Sequence, residues 1–160
     1  MLYSEKGNPW EFDTTYYVNS HQIEFKELRN FGKEGPICGQ LYIDNQKINC
    51  PEKCDGFGGP VLITSKRIYI PVYQKKICLM DIWGALVAEI DLCKLSVRLI
   101  GKKQGIIYIK YLENERLYFC DSYKNANQNK NIKYVNTKED YKLWTLMDKL
   151  SYIYSFFKNI

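Results

Sequence analysis

Residues 50–60 read Cys50-Pro51-Glu52-Lys53-Cys54-Asp55-Gly56-Phe57-Gly58-Gly59-Pro60. Three readings compete for this stretch: half of a metal site, a redox pair, or a bend between strands. Structural zinc takes four ligands, commonly two close pairs of Cys or His. Cys50 and Cys54 supply one pair, and no second pair exists in the chain. A set of Cys50, Cys54, Cys38 and His21 is conceivable, but no spacing demands it. A thioredoxin-like redox motif has two residues between its cysteines at a helix start; here there are three, and glycines follow. A disulfide across the short loop requires an oxidant. The remaining reading, which we adopt, is a glycine-rich turn. It separates a first hairpin from a second and sets where the central sheet begins.

Outward from this turn the chain reads as hairpins. Before it, "ICGQLYIDNQKINC" (37–50) puts Asp44-Asn45 between two short strands, where Asp and Asn favour a turn. After it, "GPVLITSKRIYIPVY" (59–73) bends at Thr64-Ser65-Lys66. Ile68, Ile70 and Val72 fall on one face of this strand, and Tyr69, Pro71 and Tyr73 on the other. Pro71 cannot donate to a ladder, which places the strand at an edge or ends it there. A third hairpin, "GIIYIKYLENERLYFCD" (105–121), turns at Glu113-Asn114-Glu115. Between the second and third, residues 77–101 read as strands broken at Trp83-Gly84. A short helix there is the alternative, because Ala85, Leu86 and Ala88 are good helix formers.

The first 36 residues carry two strand-like runs. Trp10 to Val18 is rich in aromatic and β-branched residues, and Ile23 to Leu28 alternates apolar and charged residues. Residues 124–136 are a polar, Asn-rich loop. From Thr137 a helix is expected to run to residue 158. Thr137 is its cap, Glu139 and Asp140 lie in its first turn, and apolar residues recur from Tyr141 to Phe157 at spacings of three and four. An antiparallel sheet with one apolar face can cover such a helix. The expected fold is therefore α+β and single-domain over 1–160. It has a curved, mostly antiparallel sheet or partial barrel of about seven or eight strands, with the C-terminal helix packed on it.

Composition limits the function. At 160 residues, 46% hydrophobic and 26% charged, the chain has an ordinary globular make-up. The N-terminus shows no basic start followed by an apolar segment, and the longest apolar run, Ile82–Ala88, is too short to span a bilayer. A cytoplasmic location is expected. Six cysteines invite a disulfide reading. Yet Cys38, Cys78, Cys93 and Cys120 sit singly among apolar neighbours, as reduced core thiols do. The charge of +5 is spread rather than clustered, and Lys75-Lys76 and Lys102-Lys103 read as hairpin or loop positions.

Catalytic schemes find little support. A nucleophile–histidine pair would have to use His21, which has no partner motif. Glu113 and Glu115 lie in a turn, where exposure is the natural account. Asp81, Glu89 and Asp91 interrupt an apolar region and are better candidates for a buried or interfacial role. The glycines at 56–59 lack the lysine and Ser/Thr of a phosphate loop. No enzyme, cofactor or metal is expected. Lysines interleaved with aromatics, as in "IIYIKY", could stack bases, so a nucleic-acid-binding β-sheet module is the alternative function.

The hairpin "FGGPVLITSKRIYIPVYQKK" followed by "ICLMDIWGALVAEIDL" (57–92) resembles small bacterial immunity proteins of contact-dependent and polymorphic toxin systems. The resemblance covers about a quarter of the chain. It implies a cytosolic protein that presents a sheet to the toxic domain of a cognate effector and neutralises it by contact, with no active site. The positive charge departs from the acidic surfaces common among nuclease inhibitors. It implies an acidic toxin surface, or a contact away from the catalytic cleft. On this reading the contact residues are Tyr69, Tyr73, Lys75, Lys76, Tyr111, Glu113, Glu115 and Arg116.

Overall fold

The computed structural model describes Leu2–Tyr3 and residues 7–50, 54–78 and 80–140; for Leu2–Tyr3, 75–78 and 80–83 the description is of backbone pairing. In chain order the strands are β1 (Leu2–Tyr3), β2 (Thr15–Val18), β3 (His21–Asn30), β4 (Ile37–Ile43), β5 (Gln46–Ile48), β6 (Gly56–Gly58), β7 (Leu62–Ile63), β8 (Arg67–Cys78), β9 (Met80–Asp91), β10 (Ser96–Gln104), β11 (Tyr108–Glu113) and β12 (Arg116–Cys120). A short helix α1 (Tyr123–Gln128) and strand β13 (Lys133–Asn136) follow. Every pairing is antiparallel. The first ten strands form one sheet and β11–β12–β13 a second. The expected antiparallel sheet is present. It is divided among more and shorter strands than seven or eight, and it is open rather than closed into a barrel.

The long hairpin β8–β9 is the spine. Its register runs without a slip from Arg67↔Asp91 to Cys78↔Met80. The expected break at Trp83-Gly84 is absent, because Gly84 serves close approach rather than bending. A Cβ there would lie 2.4 Å from Lys103 Cε and 2.7 Å from the Gln104 carbonyl oxygen. Lys103 is itself buried within β10, its ammonium donating to the Gln74 carbonyl at 3.1 Å, so Lys102-Lys103 is strand and not loop.

On its other edge β8 meets two short strands in line. β7 pairs at Ile68 and Tyr69, and β6 pairs at Val72 and Tyr73. Pro71 falls opposite the interruption between them, where the ladder already has a gap. The strand is therefore central, and the proline is tolerated for a reason other than an edge position. The glycine-rich stretch is likewise more than a turn. Gly56–Phe57–Gly58 is a strand, paired to β4 through Cys38 and Gly39 and to β8 through Val72 and Tyr73. The Gly59–Pro60 peptide bond is cis.

The turns follow their chemistry. Asp44 and Asn45, both at positive φ, join β4 to β5; Asn114 and Glu115, also at positive φ, join β11 to β12. Two consecutive positive-φ residues match the twist of a tight hairpin. At the β7–β8 bend the Thr64 side-chain oxygen accepts the Arg67 N–H at 2.9 Å.

Alternation along β8 and β9 generates two cores. Ile68, Ile70, Val72, Leu86, Ala88 and Ile90 face one way and join Ile23, Phe25, Leu41 and Ile43. Tyr69, Tyr73, Ala85 and Val87 face the other way and meet Ile109, Leu117 and Phe119 of the second sheet. The second sheet is thus a lid of three strands over one face of the spine.

Two expectations near the C-terminal end are corrected. Residues 124–136 are not a loop: they hold most of α1 and all of β13. Ser122 caps α1 by accepting the Asn125 N–H, and Asn129, at φ 49° and ψ 40°, ends it in the left-handed conformation. Thr137 does not cap a helix. It lies buried in a turn, its N–H and hydroxyl both donating to the Glu115 carbonyl, and Asp140 bridges to Ile100. The remainder of the expected helix, 141–158, lies outside the described residues.

An acidic group anchors this corner. Glu89, 7% exposed, accepts from Arg98 at 2.8 Å and Arg67 at 3.4 Å. Arg98 also reaches Asp140 at 3.2 Å and the Thr137 carbonyl. The buried role expected for Glu89 is present.

Two stability predictions follow from this packing. Gly58→Ala would drive a methyl to 2.5 Å from the Tyr73 ring and 2.7 Å from the Ile37 carbonyl oxygen. It is expected to cost about 2 kcal/mol or more in urea unfolding; an unchanged midpoint would refute the tight seam. Glu89→Gln should cost roughly 1–3 kcal/mol, below the fully buried case because both guanidinium groups keep contact with water.

Candidate functional surface

The outer face of the second sheet is built by register. Glu113↔Arg116 flank the β11–β12 turn, and Tyr111↔Tyr118 are the next pair on the same face. Tyr118 in turn lies opposite Tyr134 of β13, and Arg116 opposite Asn136. One tyrosine from each strand therefore stands in a row across the sheet. The Tyr111 and Tyr118 rings stack at 4.5 Å and 20°, and Tyr118 meets Tyr134 at 5.8 Å and 46°. The Arg116 guanidinium lies 4.9 Å from the centre of the Tyr134 ring, within cation–π range. Tyr134 is 56% exposed.

The opposite end of this face is closed. Tyr108 and Cys120 lie there beneath α1, packed against Ala126. Lys110, at the β11 bulge, donates to the Ala126 carbonyl at 2.7 Å and ties the helix down. The two ends of the outer face differ because the helix has only six residues and covers only one of them.

Charge rims the open end. Lys138 pairs there with Glu115 at 2.6 Å, and at the closed end Lys133 pairs with Asp121 at 2.6 Å. Burial alone would raise the Asp121 carboxyl. The Lys133 ammonium and the Asn125 amide outweigh it and hold the group below the ordinary carboxylate range.

The structure sorts the expected contact residues. Tyr111, Glu113, Glu115 and Arg116 come together at the open end of this face. Tyr69 and Tyr73 do not join them, being 2% and 0% exposed in the core between the two sheets. Tyr73 is sandwiched with Phe31 at 5.6 Å, and burial pushes its phenol far above the ordinary range. Both are corrected from contact to core residues. The physical reason is the second sheet, which covers the face of β8 they share. Lys75 and Lys76 lie on β8, and their side chains are outside the described residues. Tyr118 and Tyr134 were not anticipated. The symmetric placing of Tyr111 and Tyr118 about the Asn114-Glu115 turn was the signal available for one of them.

The residues weighed for chemistry are dispersed. His21 Nδ1 lies 2.6 Å from Asp44 Oδ2, joining the β2–β3 turn to the β4–β5 turn. That hydrogen bond, with the Gln22 N–H, lowers the Asp44 carboxyl. Cys38 and Cys120 are buried, with thiols raised by burial. Cys93 is exposed in the β9–β10 turn, contrary to its expected core position, because Asp91 turns the chain outward by accepting the Cys93 and Lys94 N–H groups. Among the described residues, no three His, Cys, Asp or Glu side chains gather closely enough to hold a metal ion, and no helix is long and apolar enough to cross a membrane.

No protein-family model, curated protein or solved structure matches the chain.

The lowered Asp121 carboxyl generates a pH prediction. A depressed folded-state pKa contributes stability that is present above the unfolded value and is lost as pH falls through the folded one. Stability measured by urea unfolding should therefore fall below about pH 4. Asp121→Asn should flatten this acid limb while leaving its position otherwise similar; an identical acid limb in the variant would contradict the assignment.

Proposed function

We propose that the protein is a non-catalytic immunity-type inhibitor that binds a cognate secreted toxin domain through the outer face of β11–β13. The observation that carries the reading is the row Tyr111–Tyr118–Tyr134 with Arg116 laid over its exposed end. Tyr and Arg are the side chains that most often dominate protein interfaces. They bring large contact area at small entropic cost, and here stacking has already restricted the rings before any partner arrives.

Magnitudes limit what the row can do alone. Three strands about 4.8 Å apart and about five residues long at 3.3 Å each expose on the order of 200 Å². A standard interface buries roughly 800 Å² on each partner. The tyrosine row is then the centre of the contact. The rim comes from the Asn114-Glu115 turn, Lys138, and the α1 side with its 62%-exposed Tyr123. Arg116, over Tyr134 at the open end, favours a partner with acidic groups facing the row.

Ring orientation favours protein over bases. A base-stacking platform needs free ring faces. Here the faces of Tyr111 and Tyr118 cover each other at 4.5 Å, and Arg116 lies over Tyr134.

The test is co-expression with the toxin domain encoded beside this gene. Wild type should co-purify with it at nanomolar affinity. Tyr134→Ala combined with Arg116→Ala should weaken binding by about 100-fold, near 3 kcal/mol, with little change in thermal midpoint because both are surface residues. Undiminished binding by the double variant would remove this face from the contact. A neighbouring gene that encodes no toxin, with nucleic-acid affinity falling steeply as salt rises, would replace the reading with the alternative.

A further inference from the structure

Cys50 and Cys54 are the chemical residues that the binding surface leaves unused. Cys50 follows β5 and Cys54 precedes β6, so both are held by strands of the same sheet. Each is half-buried, and each packs against the first core. Both line one cleft of about 480 Å³ beside β4–β6, together with Glu27, Arg29, Gln40 and Lys47.

We infer that Cys50 and Cys54 are a reversible dithiol pair, a modification site closed to a disulfide by exchange with a low-molecular-weight disulfide entering this cleft.

The two thiols have different roles. Interaction with Cys50, and then burial, raises the Cys54 thiol. Cys50 is accordingly assigned as the attacking sulfur. The cleft carries cations from Arg29 and Lys47 and anions from Glu27 and Asp55. Glu27 is engaged by the Gln40 amide, and Arg29 donates to the Asp55 carbonyl at 2.7 Å. Lys47 lines the same cleft as an exposed cation that attracts a carboxylate-bearing disulfide.

Exchange proceeds in two displacements. Cys50, as thiolate, attacks one sulfur of the small disulfide. A bond forms to that sulfur, the small molecule's S–S bond breaks, and the departing thiolate takes up the proton that Cys50 released. Cys54 then loses its proton and attacks Cys50 sulfur. The second small thiol leaves with that proton, and a Cys50–Cys54 disulfide remains. Two protein thiols are oxidised, and one disulfide is reduced to two thiols. The remaining described cysteines lack one requirement or the other. Cys38 and Cys120 are buried, and Cys93 is exposed in the β9–β10 turn, outside this cleft.

The experiment uses the reduced full chain and oxidised glutathione, followed by alkylation of free thiols, tryptic digestion and mass spectrometry. Trypsin cuts after Lys53, between the two cysteines, so a bridge joins two peptides. The expected product is that linked pair with the loss of two hydrogens, formed about tenfold faster than glutathione adducts on Cys93. Cys54→Ser should trap one glutathione on Cys50, whereas Cys50→Ser should leave Cys54 alkylatable. The inference is overturned if Cys50 and Cys54 stay free while Cys93 is modified, or if glutathione adducts accumulate on wild-type Cys50 without resolving to the bridge. Neither outcome bears on toxin binding, so the two proposals stand or fall separately.

Discussion

Two narrow ladders hold the large sheet together at β6. This strand has three residues, yet it is the link between β8 and β4, and hence between the β8–β9 spine and the β2–β5 region. The link works only because the strand carries almost no side-chain volume on its crowded side. A Cβ at Gly56 would sit 3.0 Å from the Gly39 carbonyl oxygen, and one at Gly58 would strike the Tyr73 ring. Phe57, between them, points into the first core. Two glycines let the backbones approach while one aromatic anchors the strand, so pairing and packing are satisfied in the same three residues.

From that seam the second sheet follows. Tyr73 receives the crowding at Gly58 on one side and the Phe31 ring on another, and it faces the second core. Its neighbour on that face, Tyr69, is also buried. Two large tyrosines side by side leave an apolar surface that must be covered, and Ile109, Leu117 and Phe119 cover it. Because strand side chains alternate, burying Leu117 and Phe119 fixes Tyr118 and Arg116 on the outside, and the β11 bulge between Ile109 and Tyr111 brings Tyr111 opposite Tyr118. The exposed tyrosine row is the reverse side of a core requirement. Its orientation is inherited from packing.

Much of this was legible where the local chemistry and the fold agree. The alternation of Ile68, Ile70 and Val72 with the intervening tyrosines marks β8, and Asp44-Asn45 and Glu113-Asn114-Glu115 mark their hairpins. Failures cluster where tertiary contact overrode local preference. Gly56–Phe57–Gly58 reads as a turn, because glycine is a poor strand former, and only its neighbours on both sides make it a strand. Gly84 reads as a pivot until Lys103 is seen across it. Pro71 reads as an edge residue until the gap between β6 and β7 is placed opposite it. Tyrosine gave the least guidance: its amphipathic ring suits a core or a surface, and Tyr69 and Tyr111 differ only in whether a second sheet lies above them. Of the proposed contact surface, the hairpin half was readable and the β13 half was not. Tyr134 lies in an Asn-rich stretch whose pairing to Tyr118 has no local signature.

The charge of the chain takes on a more specific meaning in this arrangement. The formal +5 is not gathered into one basic field. Several of its cations are engaged: Arg67 and Arg98 with Glu89, Lys133 with Asp121, Lys138 with Glu115, and Lys103 and Lys110 with backbone carbonyls. A nucleic-acid surface needs many phosphate-directed cations acting together. Cations already committed to carboxylates and carbonyls serve that purpose poorly, whereas a small mixed rim around an aromatic centre is how protein interfaces are commonly arranged. Arg116 belongs to the latter pattern. Its guanidinium lies over the Tyr134 ring, 4.9 Å from the ring centre. How the charges are used, rather than their net value, therefore favours the proposed protein partner over a nucleic acid.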